Sequence, residues 1–391
     1  MKLNKCIVAA ALMACSMTAV GQTDIKDTEF NPLTTGVTSL NIAPDARGAS
    51  MGDLGAATEP DVNSQFWNPS KYAFAYSQAG VSLSYTPWLR KLVNDIYLAN
   101  LTGYYKVGGG DNQAVSASLR YFSLGDVQLS DIDGPAVASI HPFEMAVDAG
   151  YSRKLSEKFS MGVALRFIYS DLGYNSSMNT GESSSATAFA ADISGYYTTY
   201  PIIGRNECQW SLGFNLSNIG SKVSYNKGND PAYLPANLKI GTAFTFPLAE
   251  ANNLTLSLDA NKLLVPAKPR LTDFDGDNQA YGDALEVWQS KSSISGIFDS
   301  FKDNFAKRIT YSVGAEYSYD HKFFLRGGYY YESKFAGNRQ YFGLGAGFAL
   351  KVLQIDAGYI IATAQDSPLD QTLRFTLSFD MDGIKDLFGR N

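Results

Sequence analysis

The segment that closes the barrel-like part of the chain alternates without interruption. Leu373, Phe375, Leu377, Phe379 and Met381 fall on one side of an extended strand, and Arg374, Thr376, Ser378 and Asp380 on the other. Successive side chains of a strand point to opposite faces, so this segment must meet an apolar medium on one face and a wet one on the other. The split recurs. Val81, Leu83 and Tyr85 oppose Ser82, Ser84 and Thr86; Met161, Val163, Leu165 and Phe167 oppose Gly162, Ala164 and Arg166; Leu254, Leu256 and Leu258 oppose Thr255, Ser257 and Asp259. A soluble sandwich also alternates, but its outer face carries far more lysine and glutamate. Only 18% of this chain is charged, against roughly 25% in ordinary soluble domains. A bilayer explains both facts, because backbone groups then pair between strands while charges turn to a wet interior.

Strands are expected near 78–88, 95–107, 113–125, 143–155, 159–171, 185–199, 209–219, 236–247, 253–262, 307–319, 323–332, 340–350, 352–363 and 371–381. The fold class is therefore all-β: a transmembrane antiparallel barrel of about 14 strands, an even number as in bacterial single-chain barrels. Connections alternate in length. Residues 108–112, 156–158, 249–252 and 320–322 are tight turns, whereas 126–142, 172–184, 220–235 and above all 263–306 are long. Short turns belong on the periplasmic side and long loops on the cell surface, and an even strand number puts both barrel ends on the periplasmic side. No stretch approaches the ~18 consecutive apolar residues of a spanning helix. With 24 tyrosines and 23 phenylalanines the chain is too aromatic for disorder, and a net charge of −6 offers no basic patch for nucleic acid.

Residues 1–21 read as an export signal: Lys2 and Lys5 give the positive region, Ile7 to Ala14 the apolar core, and Ala19-Val20-Gly21 the cleavage site. Its removal takes the net charge from −6 to −8 and leaves Cys208 alone, so no intramolecular disulfide can form. The expected organisation is signal 1–21, an N-terminal periplasmic or plug segment 22–77, barrel 78–381 and a periplasmic tail 382–391. Within the segment before the barrel, Pro44 to Ala49, Met51 to Ala57 and Phe66 to Ser70 are rich in small residues and turn formers, without alternation. It is too apolar for a linker and reads as a plug or lid. Gly343, Gly345 and Gly347 share one inward face, which suits the close approach of another backbone.

Chemistry-bearing residues are sparse. His141 and His321 are the only histidines, and no serine motif is spaced for acyl chemistry with either. Asp273, Asp275 and Asp277 resemble a calcium loop, but the glycine is displaced and Ala284 stands where a bidentate Glu is needed. No catalytic residue, metal site or cofactor is expected. The loop 263–306 is too long to be a mere connector. Ile294, Ile297, Phe298, Phe301 and Phe305 follow helical spacing, with Ser292 or Ser293 as cap and Trp288 upstream. Trp88 and Leu89, at the tip of the first long-side loop, are also apolar. Trp88, Leu89, Trp288, Phe298 and Phe301 are thus the expected docking rim for a protein partner.

Ile42-Ala43-Pro44-Asp45-Ala46-Arg47, Met51-Gly52, Ala56-Ala57-Thr58 and the plug motif Trp67-Asn68-Pro69 resemble the entry region of the PorV and PorQ family, FadL-like barrels of the type IX secretion system. Leu263-Leu264-Val265-Pro266 and Gly296 to Phe301 extend the resemblance, toward the PorV branch. It implies a FadL-like, non-enzymatic outer-membrane shuttle. Such a shuttle would take the C-terminal domains of secreted cargo from a large outer-membrane translocon. It would pass them to a PorU-like surface sortase with PorQ- and PorZ-like attachment subunits, with membrane lipids around it. The competing readings are a FadL-type channel for hydrophobic small molecules and a protein related to lipid A deacylation. Ser70 stands where the FadL motif has alanine, and the inward faces are polar, which argues against the channel.

Overall fold

The computed structural model describes residues 30–88, 95–108, 112–130, 136–172, 185–225, 231–302, 304–363 and 369–381. The expected signal 1–21, the tail 382–391 and Leu89 lie outside the described residues. Fourteen strands form one closed antiparallel barrel. They are β1 (Ala79–Pro87), β2 (Ile96–Val107), β3 (Gln113–Leu124), β4 (Phe143–Lys154), β5 (Phe159–Asp171), β6 (Ser185–Thr199) and β7 (Gln209–Gly220), then β8 (Asn237–Ala249), β9 (Asn252–Leu263), β10 (Ile309–Tyr319), β11 (Phe323–Tyr331), β12 (Gln340–Ala349), β13 (Leu353–Ala362) and β14 (Leu373–Asp380). Every expected strand is present, within two residues at each end. Closure joins β1 to β14, with Leu83 opposite Leu377 and Ser84 opposite Thr376. Two short hairpins decorate the connections, Val127–Ser130 with Ala136–Ile140 and Ile202–Ile203 with Asn206–Glu207.

Alternation becomes inside and outside. On β1, Leu83 is 51% exposed while Ser82 next to it is fully buried. The outer face is a belt for lipid, not a core turned to water. Closure also sorts the aromatics in a way that the linear pattern hides. Tyr85, Tyr97, Tyr121, Phe143 and Tyr169, on five consecutive strands, make an outward ladder at the long-loop end with centroids 5.4–6.1 Å apart. Tyr105, Tyr151, Trp210, Tyr319 and Phe323 ring the short-turn end and are likewise exposed. Aliphatic side chains such as Leu101, Leu119, Val147 and Leu165 occupy the zone between. Two aromatic girdles flanking an aliphatic band mark two membrane interfaces. Among the described residues no helix is long and apolar enough to cross a membrane; the chain crosses with strands.

The segment before β1 runs the length of the lumen. At the long-loop end Asn31 donates its N–H to Phe335 O (2.9 Å), while Arg270 and Arg308 donate to the carbonyls of Phe30 and Asn31. The chain then descends past β3 and β4 and two short helices, α1 (Ala46–Ser50) and α2 (Ser64–Trp67), and leaves at the short-turn end to begin β1. The even strand number puts the barrel's own two ends together, as expected. The described chain nevertheless starts at the opposite end from its finish, because residues 30–75 carry it back through the barrel.

Candidate functional site

Two regions can bear function, the filled lumen and the long loop. The lumen is built from matched pairs. Asp45 caps α1 by accepting from Gly48 N (2.8 Å) and also accepts from Trp67 Nε1 (2.6 Å). Trp67 thereby lies against Gly48 and Gly55, where any β-carbon would collide with its ring. Asn68 donates to the carbonyls of Ala56 (2.8 Å) and Gly195 (3.0 Å), and Asn215 of β7 donates to Trp67 O (3.1 Å). Pro69 opens a short 3-10 helix, where its fixed φ and missing N–H cost nothing. Trp67, Asn68 and Pro69 are all buried.

Charges pin the rest. Arg47 bonds Glu316 of β10 (2.8 and 3.0 Å) and Asp61 (2.9 Å). Glu316 also accepts from Arg326, which reaches Asp356, both at 2.5 Å. Asp259 of β9 accepts from the N–H groups of Gly55 and Ala56 (2.8 and 2.9 Å). Lys71 Nζ donates to Gly55 O and Thr58 Oγ1. The wall yields room where it must. A β-carbon on Gly343 would lie 2.6 Å from Ser50 O, and one on Gly213 only 1.9 Å from Ala56 O, so only glycine fits there. Gly345 likewise faces Ser50, whereas Gly347 makes room for Asp356 and Arg326. These wall partners, Asp259, Glu316, Arg326 and Asn215, were absent from the expected site. Their signal is an inward-facing charge or amide, but nothing in the sequence says what each would meet.

Among the described residues every neighbouring pair of barrel strands is hydrogen-bonded, with register shifts at Leu216/Ile219 and Pro247/Ala249. The first shift turns Asn218 inward at φ 58°, where it bonds Arg166, a guanidinium also paired with Asp148 (2.7 Å) and Asp192 (3.1 Å).

The long loop is mostly helical. α3 (Asn278–Ser290) precedes the expected helix, and α4 (Ser293–Asp299) is its core. Ser292 caps α4 as expected, its Oγ accepting from Ser295 N (3.2 Å). Asp277 caps α3, accepting from Gln279 N and Ala280 N, and Asp273 pairs with Arg270 (2.9 Å). The acidic run therefore serves helix entry, and among the described residues no cluster of metal-ligating side chains forms. Trp288 is not exposed. It packs edge-on against Tyr233 (5.1 Å), donates Nε1 to Pro266 O (3.2 Å), and holds α3 to the loop 221–236. Burial there, with Asp299 adding to it, pushes the Tyr233 hydroxyl up to about 12. By contrast Phe298 is 68% exposed, with Ile294, Phe301 and Phe305 also open. Phe301 and Phe305 stack at 5.8 Å. Trp88 is half-buried with the Arg374 guanidinium 5.8 Å over its ring. Four strands, β11–β14, separate it from the long loop, so the structure does not bring Trp88 and Phe298 together. His141 bonds Asp126 at the surface, His321 sits in its turn at φ 51°, and Cys208 is buried.

A family model described as type IX secretion system protein PorV matches residues 25–270. Among solved structures, the toluene transporter TodX of P. putida is 11% identical over 87% of this chain and 98% of its own, with a TM-score of 0.52. The toluene transporter TbuX of Ralstonia pickettii is 13% identical over 88% and 99%, with a TM-score of 0.50. A FadL homologue of Pseudomonas aeruginosa is 12% identical over 86% and 99%, with a TM-score of 0.44. No curated protein matches significantly. The likenesses to the two toluene transporters are of fold.

Proposed function

From the premise that the chain belongs to the PorV family of the type IX secretion system, we propose that this outer-membrane barrel is a non-enzymatic docking shuttle. It receives the C-terminal domain of secreted cargo from a large outer-membrane translocon and delivers it to a surface sortase with its attachment subunits. Export by the leader 1–21, long loops on the cell surface and short turns in the periplasm complete this reading. The pre-barrel segment is its plug.

The observation that carries the reading is the apolar face of α4 and its extension, Ile294, Phe298, Phe301 and Phe305, raised on a long loop above a lumen through which the pre-barrel segment runs. Exposed aromatics of this density cost solubility unless a partner covers them. Trp288 now reads as the loop's internal anchor, and Trp88 as a rim residue away from the docking face. The channel reading has the fold of the toluene transporters in its favour. Against it stand the polar inner wall and a ladder without a sideways exit.

The test is capture of a purified cargo C-terminal domain by the detergent-purified barrel. Replacing Phe298 and Phe301 together by serine should abolish capture while the barrel still assembles. Undiminished capture would remove the loop from the docking surface.

A further inference from the structure

Just inside the long-loop end lies a cavity of about 420 Å³, a size in the range of small-molecule sites. The descending segment 30–43, Phe66, Trp67 and the inward faces of β8–β11 enclose it. The docking role makes no use of it. Lys239 of β8 lines it and is only 8% exposed. Its ammonium lies over the rings of Phe66 (4.0 Å) and Trp67 (4.6 Å), and no hydrogen bond or ion pair holds it among the described residues.

Neighbouring charges are otherwise engaged. Arg339 is bonded twice to Glu332 (2.8 and 2.9 Å), Asp53 accepts from Tyr341 and Arg374, and Asp259 accepts the N–H groups of Gly55 and Ala56 through Oδ2; Asp259 and Asp53 attract the Lys239 ammonium through space, without an ion pair or hydrogen bond to it. An ammonium taken so far from water is costly without an anion in direct contact, and cation–π contacts return only about 2 kcal/mol.

Asn261 stands directly opposite Lys239 in the β8–β9 ladder. Its Oδ1 is buried without a hydrogen-bond partner and borders the same cavity. One wall therefore presents a cation without a hydrogen bond or ion pair beside an acceptor without a donor. Thr35, Thr38, Asn41 and Thr310 add further polar groups, so an acyl chain lodged here would strip them of water and give nothing back.

We propose that this cavity binds a hydrophilic organic anion, a carboxylate or phosphate on a hydroxyl-bearing body. Lys239 holds the anionic group and Asn261 Oδ1 accepts a hydroxyl. The site is independent of the cargo reading and stands or falls without it.

The probes are glucuronate, inorganic phosphate and laurate, titrated separately against the detergent-purified chain by calorimetry. Saturable binding of glucuronate or phosphate is expected, weakened at least tenfold in Lys239→Met and retained in Lys239→Arg. Asn261→Ala should weaken glucuronate while leaving phosphate unchanged, which separates a polyhydroxy ligand from a bare anion. Equal affinity in Lys239→Met, or saturable binding of laurate alone, overturns the proposal. Should Lys239→Met fail to assemble, the parent protein decides: no saturable binding of either hydrophilic anion sinks the idea.

Discussion

The pre-barrel segment inside the lumen and the long loop spend their aromatic and charged residues in opposite ways. In the lumen, Trp67 is buried on two glycines and hydrogen-bonded through its indole, and Arg47, Glu316, Arg326 and Asp356 form one buried chain of charges. On the loop, Phe298 and Ile294 lie open, and the ion pairs of Asp299 with Lys291 and Lys302 sit at the surface. Satisfied buried groups specify one arrangement. Uncovered apolar surface of this density indicates a face kept for something else. The contrast separates residues that hold the pre-barrel segment to the wall from residues that the proposed docking role would use.

The largest effect should come from breaking the lumen. Glu316→Gln leaves Arg47 and Arg326 facing each other without their shared carboxylate. Removing one member of a buried ionic network costs about 3–5 kcal/mol, so thermal unfolding in detergent should shift down markedly, whereas capture per folded molecule should hold. An unshifted transition would mean that the plug does not contribute to the stability of the wall.

Next in size, Trp288→Ala tests whether the loop has its own small core. Deleting a buried tryptophan costs about 3–5 kcal/mol where the site cannot collapse. The loss should appear as protease cutting within α3 and α4 at an unchanged barrel transition. A shifted barrel transition would mean that the loop and the wall unfold together.

The Phe298 and Phe301 serine pair should be nearly neutral for stability, about 0.5 kcal/mol or less per site, and decisive for capture. The smallest effect concerns pH. Hydrogen bonds from Lys291 and Lys302 lower the Asp299 carboxyl from 3.8 to about 2. A carboxyl depressed on folding stabilises the loop fully above the unfolded value and loses that contribution as pH falls through the folded one. Protease resistance of α4 should thus be flat above about pH 4 and decline toward pH 2, and Asp299→Asn should remove the decline.

The wall was legible because alternation is a local property, and all fourteen strands follow from neighbours two positions apart. Ser292 at the start of α4 was legible for the same reason, since a cap and the turn it serves are adjacent. The segment before the barrel stood out in the sequence only as an exception to alternation. Ala46 donates to Thr376 Oγ1, Arg47 meets Glu316 and Ser39 meets Glu144; no spacing rule links residues so far apart. Trp288 shows the same limit in reverse. It looks exposed when read along the loop, and its burial depends on Tyr233, which the preceding long-side loop supplies. Tyr281, Leu285 and Trp288 do stand at i, i+4 and i+7 behind the Asp277 cap, so α3 was written in the sequence as plainly as α4.

The central claim, a plugged barrel that meets a protein instead of passing a small molecule, is tested most directly by purifying the chain from intact outer membranes under mild detergent and identifying what comes with it. The account predicts a large outer-membrane translocon or a surface sortase, lost in the Phe298 and Phe301 serine pair. Recovery of the barrel alone, carrying a bound hydrocarbon or fatty acid, would contradict it.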